Sequence, residues 1–333
     1  MKTFLHFLFF FGISFKAYSQ DMHHSLFHLI PSFYNIASTN NFDDPWRAGL
    51  VYRSQWASVP VPYNTFTTVI DKKIGRNINP GGWATSLILH YDKAGDTQLS
   101  WLECAANISY GIRIGSKTVI ATGFQLGGLQ RAFSTSGLSF DKQFVDDYYD
   151  PSNPNGENLA NKQKFAIDLG AGVSFLQQFS KNIVFNAGIS LRHLNRAKIN
   201  FFDESTKEIP LRTNIQSSLN IGITNHIELQ INGLYSKQEV QNELLYGGLI
   251  RYKIKPESLK NSSLGLGIHS RNKDAYIPFI ELRWDAFLLS FAYDWNHSKF
   301  ADATNRKGGT EIALFYCPKP KIKFNTFKPC PIF

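Results

Sequence analysis

Long apolar runs are what this sequence most lacks. Of its 333 residues, Phe4–Phe15 (FLHFLFFFGISF) form the one extended apolar stretch, and nothing further along approaches the roughly 20 residues of a membrane-crossing helix. Helical spans are thereby excluded. Cysteine is scarce, with Cys104, Cys317 and Cys330 the whole supply, too few for a disulfide-framed secreted scaffold. Catalytic signatures are missing too: no G-x-S-x-G, H-E-x-x-H, C-x-x-C or phosphate-binding loop occurs. "GAGVSF" and "GLGIHS" lack the third glycine of a dinucleotide fingerprint. In "DPSNPNGEN" (150–158), Pro151 and Lys162 stand where a calcium loop needs oxygen ligands. No catalytic, cofactor or metal residue is assigned.

What is present is aromatic. The chain carries 28 Phe and 14 Tyr, 14% aromatic residues in all against 18% charged, with a mean hydropathy of only -0.22. The stretch KFAIDLGAGVSFLQQF (164–179) shows how both hold at once. Phe165, Ile167, Leu169, Ala171, Val173 and Phe175 alternate with Ala166, Asp168, Gly170, Gly172 and Ser174, the period of a β-strand with two unlike faces. The pattern recurs. Trp46, Leu50, Tyr52 and Trp56 oppose Arg47, Arg53 and Gln55; Leu102, Cys104, Ile108 and Tyr110 oppose Glu103, Asn107 and Ser109; Phe287, Leu289, Phe291 and Trp295 oppose Ser290, Asp294 and Asn296.

Short turns at 115–117, 180–182, 224–225 and 284–286 alternate with long joins at 134–161, 196–210 and 298–307. Two joins break the alternation, 256–261 and the tight 57–61. About 14 strands fit, an even number. In a water-soluble sandwich the apolar face points inward; in a transmembrane barrel it meets lipid. Small residues on the polar rows (Gly170, Gly172, Gly188, Gly222, Gly247) and aromatics near strand ends (Trp46, Trp56, Trp83, Tyr91, Trp284, Trp295) favour the barrel. So does the last strand, Lys307–Tyr316, a glycine followed by alternating apolar residues. The fold predicted is an all-β, antiparallel, up-and-down transmembrane barrel.

Lys2, the apolar run and Ala17-Tyr18-Ser19 form a signal peptide with cleavage expected after Ser19. The expected organisation is a signal at 1–19, an N-terminal periplasmic or plug segment at 20–45, a barrel at 46–316 and a basic periplasmic tail at 317–333. Export permits a Cys317–Cys330 disulfide or two free thiols. His23, His24 and His28 read as exposed and inert. The net charge of +9 faces lipid phosphates and acidic partners after export, not nucleic acid.

From Gln20-Asp21 onward, several motifs resemble one family. They are Trp46-Arg47, Tyr52-Arg53-Ser54-Gln55-Trp56, Pro62-Tyr63-Asn64-Thr65, Asp92-Lys93-Ala94-Gly95-Asp96 with Leu99-Ser100, and the closing Pro329-Cys330-Pro331-Ile332-Phe333. The sequence resembles the PorP/SprF family of outer-membrane proteins over essentially the whole mature chain. It departs at Met22–Phe27 and at Ala37, where the family pattern has proline. The resemblance implies a non-enzymatic type IX secretion component, in an outer membrane, that supports export or surface anchoring of an adhesin-like client of gliding type. It would hold the client's C-terminal domain and meet periplasmic secretion components. Carried over as partner-binding or lumen residues are Arg47, Arg53, Gln55, Asp92, Lys93, Gly95 and Asp96, the last four as a loop on the outer rim. Rival readings are a passive channel for small or hydrophobic solutes, an outer-membrane enzyme and a soluble sandwich.

The face assignment makes a first prediction. Val173→Arg, if near the bilayer midplane, costs about 2–4 kcal/mol in an unfolding titration, whereas Ser174→Arg on the lumen side is expected to cost less.

Overall fold

In a computed structural model the protein is described at residues 21–40, 42, 44–55, 63–75, 81–136, 138–145, 148–156, 162–199, 201, 208–254, 262–298 and 307–318. The chain enters through a 3-10 turn (Phe27–Leu29), helix α1 (Pro31–Tyr34) and a second 3-10 turn (Ile36–Asn40). Five strands follow: β1 (Trp46–Gln55), β2 (Tyr63–Ile74), β3 (Gly82–Ala94), β4 (Leu99–Ile114) and β5 (Thr118–Ala132). A small hairpin, β6 (Phe144–Val145) with β7 (Tyr148–Tyr149), interrupts the join to β8 (Gln163–Ser180) and β9 (Ile183–Arg192). The rest is β10 (Arg212–Gly222), β11 (Ile227–Gln238), β12 (Gln241–Ile254), β13 (Ser262–Arg271), β14 (Ala275–Trp284), β15 (Phe287–Asn296) and β16 (Lys307–Tyr316).

All but β6 and β7 pair antiparallel with their chain neighbours, and β1 closes the ring onto β16, giving 14 strands in one barrel. The closing ladder runs from Ala48 opposite Tyr316 to Gln55 opposite Gly309. Closure matters because hydrocarbon offers backbone groups no hydrogen bonds, so an open edge within it would be costly. The strands, 10 to 18 residues long, match or exceed the roughly 9–11 residues a tilted strand needs to cross.

The two faces fall as the alternation requires. Phe165, Ile167 and Val173 point outward at 70%, 63% and 45% exposure, while Asp168 and Ser174 between them are buried at 0% and 2%. Leu289, Phe291 and Trp295 face out; Ser290, Asp294 and Asn296 face in. Trp46, Trp83, Tyr91, Trp284 and Trp295 lie exposed toward strand ends; Trp56 is outside the described residues. Cys104 is exposed on the outward face, Cys317 is half-buried, and Cys330 lies outside the described residues, as do the proposed signal peptide and residues 319–333.

The interior differs from the expectation in one respect. It is not lined by polar residues alone. Val51, Val69, Ile88, Leu245, Leu249, Ile277, Phe279 and Phe315 point inward and pack on Leu26, Phe27, Leu29, Ile30, Phe33 and Tyr34 of the N-terminal segment. The molecule's apolar core therefore sits on the barrel axis. In β14, Ala275, Ile277 and Phe279 face in while Tyr276 and Ile280 face out, so this strand is apolar on both sides.

Ser174 needs a correction for the same reason. Its hydroxyl donates to the Ala37 carbonyl at 3.3 Å, so an arginine at this position meets the N-terminal segment instead of an open lumen. Val173→Arg is still expected to cost about 2–4 kcal/mol near midplane. Ser174→Arg should now match or exceed that loss, with Ser174→Ala near neutral, in the same titration.

Candidate functional site

The site begins with a problem of geometry. A short chain segment crossing a barrel brings its own backbone groups, and each needs a partner once water is excluded. Here the wall supplies them. The Ser32 carbonyl accepts from Asn107 Nδ2 at 3.0 Å, and the Tyr34 carbonyl accepts from Ser190 Oγ at 2.5 Å and Asn214 Nδ2 at 3.0 Å. Asn35 Nδ2 donates to the Val173 carbonyl at 3.1 Å, and its Oδ1 accepts from the Ala37 amide at 3.0 Å. Pro31 opens α1, where the missing N–H costs nothing.

Close approach is made possible by glycine. A Cβ on Gly123 would lie 2.9 Å from the Ala37 nitrogen, one on Gly170 2.7 Å from Ile36 Cδ1, and one on Gly172 2.6 Å from Asn35 Oδ1; Gly188 faces the Asn35 amide. The small residues on these inward rows are the cradle of the segment.

A buried ionic network holds the other end. Glu311 accepts from the Ser25 and Leu26 amides at 2.8 and 2.9 Å. Ser25 Oγ donates to Asp294 at 2.6 Å. Arg53 bridges Asp294 at 2.7 Å and Glu311 at 3.0 Å and also reaches the Ser25 hydroxyl. Arg271 joins Asp294 at 2.8 Å to Glu243 at 2.9 Å. Opposite charges at these separations offset the cost of leaving water best where they are also hydrogen-bonded, as Asp294 and Glu311 are through Ser25 and Arg53. Loss of one member would strand its partner.

The residues expected from the sequence separate into distinct places. Arg53 and Gln55 lie together on the lumen side of β1, with the Gln55 amide against the Arg53 guanidinium. Arg47 shares that face near the opposite rim, paired with Asp71 at 2.7 Å. Asp92, Lys93, Gly95 and Asp96 do not form one loop. Asp92 and Lys93 are still in β3, because its pairing with β4 runs on to Ala94 opposite Leu99. Asp92 is buried in the lumen and accepts from Thr65 Oγ1 at 2.6 Å. Gly95 alone adopts φ +71°, opening a turn closed by the Gln98 amide on the Gly95 carbonyl at 2.9 Å; Asp96 is exposed in that turn.

His24 and His28 are not exposed either. The segment folds inward, so His24 Nε2 meets Thr67 Oγ1 at 2.8 Å, and His28 lies 3.7 Å from Glu281. Sequence reasoning also missed Ser25, Asn35, Glu311, Arg271 and His193. The run Ala275–Ile280 (AYIPFI) carried a legible signal, since a strand apolar at consecutive positions has both faces covered.

At the long-loop end, Asp21 is clasped by the wall. Its carboxylate lies 2.8 Å from His193 Nε2 and 3.4 Å from Arg212, and its amide donates to Gln238 at 2.9 Å. His193 Nδ1 meets Asp168 at 2.7 Å. Burial works against charge on His193, but the Asp21 charge and the hydrogen bonds its ring donates to Asp168 and Asp21 outweigh it, pushing its pKa up to about 9. Asp21 is likewise opposed by burial, yet His193 and Arg212 hold it well below the usual carboxylate range. Beside this clasp lies a cavity of about 400 Å³, walled by Tyr63, Asp92, Leu99, Trp101 and Arg131 and floored by Met22 and Phe33.

A family model for the type IX secretion system membrane protein PorP/SprF matches residues 16–316. No curated protein sequence matches the chain. Among solved structures, a Pseudomonas aeruginosa FadL homologue aligns at TM-score 0.48 and 8% identity, over 86% of this chain and 93% of that one. The P. putida toluene transporter TodX aligns at 0.47 and 8%, over 86% and 93%. The NanC porin aligns at 0.42 and 8%, over 83% and 100%.

Two predictions follow from the geometry. Gly188→Val should displace Asn35 and give stepwise ion currents in planar bilayers, where the unaltered chain stays nearly silent. The clasp should loosen at high pH. His193 has a folded pKa above its ordinary 6.5, so its contribution is complete below that value and is lost as pH rises through about 9. A nitroxide on Met22→Cys, with the native cysteines removed, should gain mobility between about pH 7 and about pH 10. In His193→Gln it should be mobile throughout.

Proposed function

Because the chain belongs to the PorP/SprF family of type IX secretion system membrane proteins, we propose that it is a closed outer-membrane platform that anchors a secreted, adhesin-like client of gliding type at the cell surface. The client's C-terminal domain docks on the long-loop rim, while the basic tail beyond Tyr316 meets acidic periplasmic secretion components. No chemical step is assigned to it. The observation that carries this reading is the lumen occupied by residues 23–39 of the same chain, nearly all of them buried. A filled lumen suits a docking platform better than a passive conduit. Cleavage after Ser19 fits the same picture. Asp21 is held at the outer end of the lumen.

Capture of surface proteins on the tagged full chain should recover one large client. Deleting residues 317–333 should spare barrel insertion and abolish client display; undiminished display would remove the tail from the reading.

A further inference from the structure

The cavity beside Asp21 holds an arginine with no carboxylate at ion-pair distance among the described residues. Arg53, Arg192, Arg212, Arg251 and Arg271 each reach a carboxylate within ion-pair distance. Arg131 reaches none among the described residues. Its guanidinium instead lies 5.5 Å from the centroid of Trp101, half-buried at the cavity wall. Across the same wall Asp92 accepts from the Thr65 hydroxyl and faces no cation at ion-pair distance among the described residues.

These three side chains form one row. Asp92 is directly opposite Trp101 on β4, and Trp101 is directly opposite Arg131 on β5. All three face the lumen. Two strand spacings, about 10 Å in total, therefore separate a carboxylate from a guanidinium, with an indole between them and Leu99 alongside. The volume falls within the range of sites that bind small ligands, about 300–1,000 Å³. A guanidinium stacked on an aromatic ring keeps its fork of donors available for a carboxylate.

We propose that this cavity receives a chain end that terminates in a basic residue. The α-carboxylate is taken by Arg131, the side-chain cation by Asp92, and the aliphatic stem lies along Trp101 and Leu99. The assignment of the chain end to the client rests on the anchoring function proposed above; the dipolar character of the ligand does not.

The test is isothermal titration of the purified full chain in detergent with acetyl-Ala-Ala-Lys as the free acid, its C-terminal amide, acetyl-Ala-Ala-norleucine acid, and free lysine. The acid should bind at least about tenfold more tightly than the amide, the loss expected for one charge-assisted hydrogen-bonded pair, and more tightly than the norleucine peptide. Arg131→Gln should erase the acid-over-amide preference and Asp92→Asn the lysine-over-norleucine preference. Both variants should keep the heat-modifiable gel mobility of a folded barrel. Equal binding of acid and amide, or an unchanged preference in folded Arg131→Gln, would overturn the proposal. Free lysine binding as tightly as the peptide would also overturn it, because the ligand would then be a small dipolar solute. If client capture succeeds while every peptide fails, the inference falls and the anchoring function stands. If the peptides discriminate and no client is captured, the reverse holds.

Discussion

Closure of the sheet is the constraint from which the remaining features follow. In hydrocarbon every backbone donor and acceptor must find a partner within the protein, and the pairing of β1 with β16 provides the last of them. A ring of eight strands is just wide enough for wall side chains to fill its interior, whereas rings of about 16–18 leave an aqueous channel. At 14 strands the wall cannot meet itself across the axis. Either water or protein must occupy the space, and here it is the chain's own N-terminal segment.

That segment gives the molecule an inverted organisation with a conventional core at its centre. Its apolar side chains bury against Val51, Val69, Ile88 and Phe279, while its backbone is satisfied by Asn107, Ser190, Asn214 and Glu311. The two parts serve different ends. Apolar burial contributes roughly 1.5–3 kcal/mol for each large side chain removed from water, but it is indifferent to register. The Arg53–Asp294–Arg271 network around Ser25 is directional, and it determines which residue sits at which depth. The result is a barrel whose outer mouth is a shaped surface with a cavity, a geometry suited to holding a partner.

Most of the wall was legible in the chain. Strict alternation in residues 164–179 and its echoes identified both faces, and the even strand count identified the ring, although two joins on the long-loop rim, 239–240 and 272–274, are as tight as those on the other rim. The lumen positions of Arg47, Arg53 and Gln55 came from parity alone. Reading failed where parity was not the deciding factor. Asp92 was taken for part of a loop because D-K-A-G-D has turn composition, yet pairing with β4 carries the strand through Ala94. The histidines were taken as exposed because they lie close to a terminus, and Ser174 as tolerant because it faces the lumen. The last two readings lacked knowledge of what stood inside the lumen.

The sequence by itself determined the strands, their facing and the family, because each depends on the local period of side chains along a pleated backbone. Only the tertiary structure decided that the lumen is filled, that Ser25 and Asn35 are its keystones, and that Asp92, Trp101 and Arg131 share one wall. Those facts depend on contacts between residues tens to hundreds of positions apart. No local pattern records which side chain a closed ring will bring to face another.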